Sequence, residues 1–536
     1  MRQVGIGLVT LVVALLGLVT EPGFASESES ELADTTFPDP VGQFVSDFDG
    51  DGFSDLAIGV PFANVGTVGS AGAVQVHYGS SDGLTESTQQ VWTQDTSGIF
   101  GVAEPLDYFG FSIAVADFNG DGFGDLAIGV PGEDIGSIAD SGGVHILYGS
   151  LSGLKATRSQ WWTQNSSGVI DEPDALDEFG TSLVAANFGK SAHADLAIGV
   201  PAEQINTVRS GGGVNIIYGS TNGLTGTGSQ FWSQDSAGIF GVAENGDRFG
   251  SFLAAANFGR SSHADLVIGV PEALGGIEYA GGVHVIYGSV NGLTATGSQW
   301  WTQNSTGIFG EAERFDEFGT SLAAANFGKS SHADLAIGVR SEGAGATSGI
   351  GGVHVIYGST NGLSSSGSQF WNQNSTGILD EGEAGDNFGL SLTAGNFGKG
   401  SAADLAVGAP SEDLGSVRNA GAVHILFGST SGLTGTNSQF WTQDSPGIYG
   451  EIELGDEFGA CLAAANFGKS PQDDLAIGIP FESLDEYGTL QVTAAGAVPV
   501  IYGTADGLTG ADSDFWTDND KEEYERFGAS LAAGNL

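Results

Sequence analysis

A chain of 536 residues with 89 glycines, 10% aromatic residues and only 15% charged residues is too apolar for a disordered polyelectrolyte and unusually rich in turn formers. Its 65 acids against 15 bases give a formal net charge of −50, which repels phosphate backbones and anionic lipid heads and argues against nucleic acid as a partner. An all-β protein of many short strands fits these numbers.

At the N-terminus, Met1-Arg2 precedes an apolar run from Val4 to Val19, a break at Glu21-Pro22-Gly23 and a small-residue site at Gly23-Phe24-Ala25. The pattern predicts a secretory signal peptide over 1–25, the run being shorter than the roughly 20 residues a membrane helix needs. No later stretch is long and apolar enough to span, so no membrane span is expected after signal removal, and the location is expected to be secreted or at the cell surface. Residues 26–40, with the run SESESE, predict a flexible acidic leader. Cys461 is the one cysteine, so no intrachain disulfide can staple an exported chain.

From residue 41 onward the chain repeats. The strand motif Asp-Leu-(Ala/Val)-(Ile/Val)-Gly begins at Asp55, Asp125, Asp195, Asp265, Asp334, Asp404 and Asp474, at intervals of 69 or 70 residues. Behind it run an aromatic column (Tyr78, Tyr148, Tyr218, Tyr287, Tyr357, Phe427, Tyr502), a tryptophan column from Trp92 to Trp516, and Phe-Gly at 109, 179, 249, 318, 388, 458 and 527. Each unit reads as four short strands bounded by glycine-rich turns, and no glycine-free window carries helical spacing. Four strands alone cannot bury both faces, whereas seven units arranged radially can. The predicted architecture is a seven-bladed β-propeller of four-stranded antiparallel blades over 41–536, with blade-to-blade aromatic packing. A partial eighth unit at 525–536 either completes the ring against the first unit or opens another blade.

The turn before the strand motif carries the chemistry. In the first unit it reads Asp47, Asp49, Asp51, Phe53 and Asp55 at positions 1, 3, 5, 7 and 9, and in the second Asp117, Asn119, Asp121, Phe123 and Asp125. Side-chain oxygens at 1, 3, 5 and 9, with the carbonyl of Phe53 or Phe123 at 7, form the hard all-oxygen set that suits Ca2+, while zinc would want His or Cys. About two calcium sites are therefore expected. The third to seventh units lose most of these acids and place Lys190, Arg260, Lys329, Lys399 and Lys469 at position 4. These bases either supply a tethered cation near Asp195, Asp265, Asp334, Asp404 and Asp474 or point into solvent.

These residues resemble a known family. Phe388-Gly389 followed by Gly408-Ala409-Pro410, with the Asp-x-Asp-x-Asp-Gly-x-x-Asp loop of the first unit and its near copy in the second, is similar to the FG-GAP repeat of integrin α-subunit N-terminal propellers. The resemblance implies a seven-bladed propeller with calcium in hairpin loops on one face and adhesion through the other. FG-GAP repeats also accompany a phospholipase D acting on glycosylphosphatidylinositol anchors, whose separate catalytic domain has no counterpart in this sequence.

A catalytic cluster is not legible, and no enzyme is expected. His145, His284, His354 and His424 share one strand column, His193, His263 and His332 share loop position 7, and His77 stands apart. Cys461 replaces the serine of other units, such as Ser321, and reads as a small strand residue. The loop before each Phe-Gly is acidic, with the pairs Glu104 and Asp107, Glu172 and Asp177, Glu244 and Asp247, Glu313 and Asp316, Glu383 and Asp386, and Glu453 and Asp456. It lies at the end of the blade opposite the hairpin and predicts one negative face. The expected function is that of an exported, calcium-binding, monomeric scaffold for an extracellular protein or glycan ligand. A hydrolase or lyase propeller with a channel-mouth site, or a module of a longer surface protein, are the alternatives.

Overall fold

The computed structural model describes residues 46–534 apart from 272–275, 344–346, 487–489 and 519–521. The predicted signal peptide over 1–25 and acidic leader over 26–40 lie outside the described residues. Among the described residues there is no helix, and so none that could cross a membrane.

Seven four-stranded antiparallel sheets follow the repeat. The second blade is typical, with strands Ile113–Ala116, Asp125–Val130, Gly143–Tyr148 and Lys155–Trp162 in that order from the inside outward. Each innermost strand contacts that of the next blade, and the series returns to its start, so the blades form a closed ring. The first blade takes Leu56–Val60, Ala73–Tyr78 and Thr85–Trp92 from the beginning of the repeat array, and its innermost strand, Ser530–Ala532, from the far end. Ala57, Ile58 and Gly59 pair with Ala532, Leu531 and Ser530, so the terminal Phe-Gly element completes the first blade.

Burial explains the strand sequences. Asp125–Val130 is buried at every position because both faces of the sheet lie against neighbouring blades, hence its continuous apolar run. The outer strand Lys155–Trp162 is mostly exposed or half-buried, with only Ser159 and Trp162 buried. The phenylalanines of Phe-Gly at 109, 179, 249, 318, 388, 458 and 527 are all 0% exposed, each contributing roughly 1.5–3 kcal/mol by burial. The glycine inside the second strand has a definite role. A Cβ on Gly129 would stand 2.2 Å from the carbonyl of Gly180, the Phe-Gly glycine of the following blade, so only glycine allows that approach. Beside it Ser112 Oγ donates to the same carbonyl at 2.6 Å, a bond repeated by Ser182, Ser321, Ser391 and Ser530. Cys461 occupies this position in the seventh blade, where burial pushes its thiol up to about 12 and keeps it a small apolar residue.

The tyrosine column does more than pack. Tyr148 Oη donates to Gln160 Oε1 at 2.6 Å, while the Gln160 amide holds Leu224 of the next blade through both its N–H and its carbonyl, each at 3.0 Å. Tyr78 and Gln90 grip Leu154 similarly, the Leu154 N–H donating here to the Tyr78 hydroxyl at 3.0 Å and the Gln90 amide to the Leu154 carbonyl at 3.2 Å. Where the sequence suggested aromatic packing alone, the structure shows a hydrogen-bonded clamp between blades.

Candidate metal centre

The hairpin between the first and second strands of each blade projects on one face of the ring. In the first unit Asp47 sits at the head of the turn and accepts the backbone N–H of Gly50, Asp51 and Gly52 at 2.6, 3.1 and 2.9 Å. Asp51 accepts the N–H of Phe53 at 2.9 Å, and Asp49 that of Asp51 at 3.2 Å. Asp55 accepts Phe48 N–H on one oxygen and Gly79 N–H on the other, at 2.7 and 2.8 Å. This winding brings carboxylate oxygens of Asp47, Asp49 and Asp55 within 4.8 Å of one another. Asp51 stands outside that trio at the exposed rim, and Phe53 lies half-buried beside it.

The second loop repeats the winding. Asp117 accepts Gly120 and Gly122 N–H at 2.6 and 2.9 Å, Asn119 accepts Asp121 N–H at 2.8 Å, and Asp121 accepts Phe123 N–H at 3.1 Å. Asp125 takes Phe118 and Gly149 N–H at 2.9 and 3.0 Å, and the Asn119 amide turns toward it at 3.5 Å. Crowding of like charges is visible in the first loop. Burial, then Asp51 and Asp47, push the Asp49 carboxyl up to about 6, and burial first of all raises Asp51 and Asp55. A hard dication among these oxygens would remove that repulsion, and the donor set, all oxygen and mostly anionic, fits Ca2+.

The remaining five hairpins keep position 9 but wind differently at positions 3 and 6, and part of the reason lies in the neighbouring blade. Position 9 is retained as a structural group. Asp195, Asp265, Asp334, Asp404 and Asp474 each accept one N–H from the residue after position 1 and one from the glycine ending the third strand, as Asp55 and Asp125 do. Burial pushes these five carboxyls up to about 8, and the two N–H donors pull the other way. With both oxygens accepting, the bonding is that of the ionised form.

Position 3 is where the two kinds of loop part. Gly189 has φ +122°, and a Cβ there would stand 1.8 Å from the carbonyl of Ser289 in the next blade; Gly259, Gly328, Gly398 and Gly468 meet the same obstacle. The acid is absent because the backbone of the next blade occupies its place. Restoring it by Gly189→Asp is expected to cost about 2–5 kcal/mol, from the left-handed backbone and the forced separation of the two loops, read as a lowered urea midpoint.

The bases at position 4 follow neither sequence expectation closely. Their φ values, from +62° to +70°, are close to those of Gly50 and Gly120 at the same position, so position 4 is left-handed in all seven hairpins. The Lys190 ammonium rests 3.8 Å from the centroid of the Tyr218 ring and donates to the Gly228 carbonyl of the outer strand. Lys329, Lys399 and Lys469 do the same over Tyr357, Phe427 and Tyr502, and the Arg260 guanidinium lies over Tyr287. The charge of Lys190 does favour ionised Asp195 through space, but its contacts are with a ring and a carbonyl.

The histidine column is internal. His145, His284, His354 and His424 are at most 1% exposed and lie against a Phe-Gly phenylalanine on one side and an outer-strand aromatic ring on the other. Burial pushes all four down to about 3, so they are neutral fillers of the blade. The structure also corrects one pair of the acidic face. In the third unit Asp174, not Glu172, gives its N–H to Asp177 at 2.6 Å, as Glu104 does to Asp107.

Comparison with known proteins agrees with this geometry. The FG-GAP repeat family model matches residues 44–77 and 109–147, which contain both acid-rich hairpins. Phosphatidylinositol-glycan-specific phospholipase D of Dictyostelium discoideum is 27% identical over 234 residues, 42% of this chain and 24% of that one. The same enzyme of Bos taurus is 30% identical over 157 residues, covering 29% and 18%, and integrin alpha-8 of Mus musculus is 26% identical over 253 residues, covering 46% and 21%. The chain thus spans about a quarter or less of the curated relatives it matches.

Ring, hairpins and matched repeats together define an FG-GAP β-propeller. More particularly, the chain is an integrin-alpha-like FG-GAP propeller, with a repeat region similar both to integrin alpha chains and to a protein named as a phospholipase.

Proposed function

We propose that this chain is an exported propeller, stabilised by calcium in its first two hairpins, that serves as an adhesion or interaction scaffold for an extracellular protein or glycan. The observation that carries the reading is on the face opposite the hairpins. There Phe100, Ile170, Phe240, Phe309, Leu379 and Tyr449 occupy one column of the repeat and are 48–64% exposed, a ring of large apolar side chains beside the acidic loops. Exposed apolar groups recurring on one rim mark a surface that meets something. The likeness to integrin alpha chains supports an extracellular location and divalent-cation binding. A hydrolase reading gains nothing from Cys461 or from the histidine column, since these side chains are sealed inside the blades.

The test is an array of matrix proteins and glycans probed with and without chelator. At least one arrayed ligand should be retained in calcium and lost in the triple variant Phe100→Ser/Phe240→Ser/Phe309→Ser. Retention unaffected by the triple variant, or no retained ligand at all, would overturn the reading. The metal part is checked separately by counting bound calcium after equilibrium dialysis, where Asp47→Asn with Asp117→Asn should remove two ions per chain and lower the thermal midpoint in calcium.

A further inference from the structure

On the face opposite the hairpins, blades are joined by a buried glutamine and a buried acid 39 residues apart. Gln94 donates to Glu133 at 2.5 Å, Gln164 to Glu203 at 2.8 Å, Gln443 to Glu482 at 2.6 Å, and Gln303 and Gln373 pair likewise with Glu342 and Glu412. A third group, the aspartate two residues before Phe-Gly, raises the glutamate's pKa by its charge in the joints of Glu203, Glu342, Glu412 and Glu482, as Asp177, Asp316, Asp386 and Asp456 respectively.

Two joints differ from the rest. In three of the five the residue whose side chain would enter the joint is glycine with positive φ, at 101, 310 and 450, and a Cβ on it would meet the glutamine Nε2 at 2.9–3.5 Å. In the other two it is an aspartate in the same left-handed backbone, Asp171 at φ +103° and Asp380 at φ +84°. A non-glycine residue at such angles is costly, by roughly 1 kcal/mol or more. Its carboxylate is sent into a place already occupied by acids, and the charge of Asp380 bears on Glu412.

Around Glu412 the set converges. Carboxylate oxygens of Glu383, Asp386 and Glu412 lie within 4.8 Å of one another, Asp386 and Glu412 being 1% and 2% exposed and Glu383 open to solvent. Gln373, 1% exposed, directs its amide into this group; its Nε2 is on Glu412, and its enclosed Oε1 has no hydrogen-bond partner. Turning the amide over exchanges the two atoms and presents that oxygen to the acids, where a cation between them would be held by both; the same oxygen is without a partner on Gln94, Gln164, Gln303 and Gln443, so the converging acids set this joint apart.

We propose that the joint between the fifth and sixth blades binds a hard divalent cation of calcium size through Asp380, Glu383, Asp386 and Glu412, with the Gln373 amide oxygen as a neutral ligand. Asp171, Asp174, Asp177, Glu203 and Gln164 hold the same places between the second and third blades. Several carboxylates, a carbonyl oxygen and a side open to water are what calcium takes, and nitrogen and sulfur ligands are not among these residues. The ion would staple adjoining blades on the face away from the hairpins, and it is independent of the hairpin sites.

The test counts bound calcium per chain by equilibrium dialysis and atomic emission, in the wild-type chain and in the Asp47→Asn/Asp117→Asn background. In either background Asp380→Gly should remove one ion. Because glycine is what other joints carry, the variant should fold and in chelator melt at or above the wild-type temperature, while gaining less from added calcium. Glu383→Gln, an exposed change that keeps the volume, should weaken the same ion at least tenfold. An unchanged count in Asp380→Gly, or an unchanged affinity in Glu383→Gln, would overturn the proposal without touching the hairpin sites, which are read from the other pair of variants.

Discussion

A chain carrying Leu531→Asp is expected to unfold at a much lower temperature than the wild type and over a broader range. Leu531 is 1% exposed and pairs with Ile58 in the strand that completes the first blade. Ser530 binds the Gly110 carbonyl of the second blade at 2.7 Å, so this short strand bridges the two ends of the repeat array. A carboxylate at 531 must either lose its hydration in the core or leave, taking the strand with it, and either costs about 4 kcal/mol or more. Leu531→Ala, which makes a cavity but keeps the pairing, should lose about 2–5 kcal/mol with one sharp transition. Calorimetry distinguishes the two. A Leu531→Asp chain that melted with the wild type would show that the ring is held without this strand.

The second large effect concerns position 9 of a hairpin that lacks the metal ligands. Asp334 gives one oxygen to Phe327 N–H and the other to Gly358 N–H, both at 2.9 Å, and is 0% exposed. Asp334→Ala strands two buried donors at about 1–3 kcal/mol each, so a loss of about 2–6 kcal/mol is expected in chemical denaturation. Asp334→Asn keeps one acceptor and sets an amide N–H against the other donor, so it should recover little of this loss. Because no metal is involved, the deficit should be the same in calcium and in chelator. A deficit that appeared only in calcium would mean that this loop holds an ion after all.

Much of the architecture was legible because a repeat of 69 or 70 residues displays the same strand boundaries seven times, and chance alternation does not survive that. The acid-rich loops were legible for a similar reason, since ligand spacing is local. What stayed hidden involves contacts between units. Gly189 reads as a lost acid until Ser289, 100 residues later, is seen to occupy the space. The tyrosine column reads as packing until its hydroxyl is found on a glutamine that holds the next blade. The third-unit pair was misaligned because Glu172 and Asp174 are both acidic and only backbone bonding separates them. Asp171 and Asp380 gave a signal that could have been read, an acid standing in a column of glycines.

The closure of the first blade by residues 530–532 also sets an order of events during synthesis. The edge of Leu56–Val60 is made early, and its partner arrives last, so every growing chain presents an open apolar edge while the other six blades are being added. A sibling chain that reaches residue 530 first can lend its own strand to that edge, linking two molecules where one should close on itself.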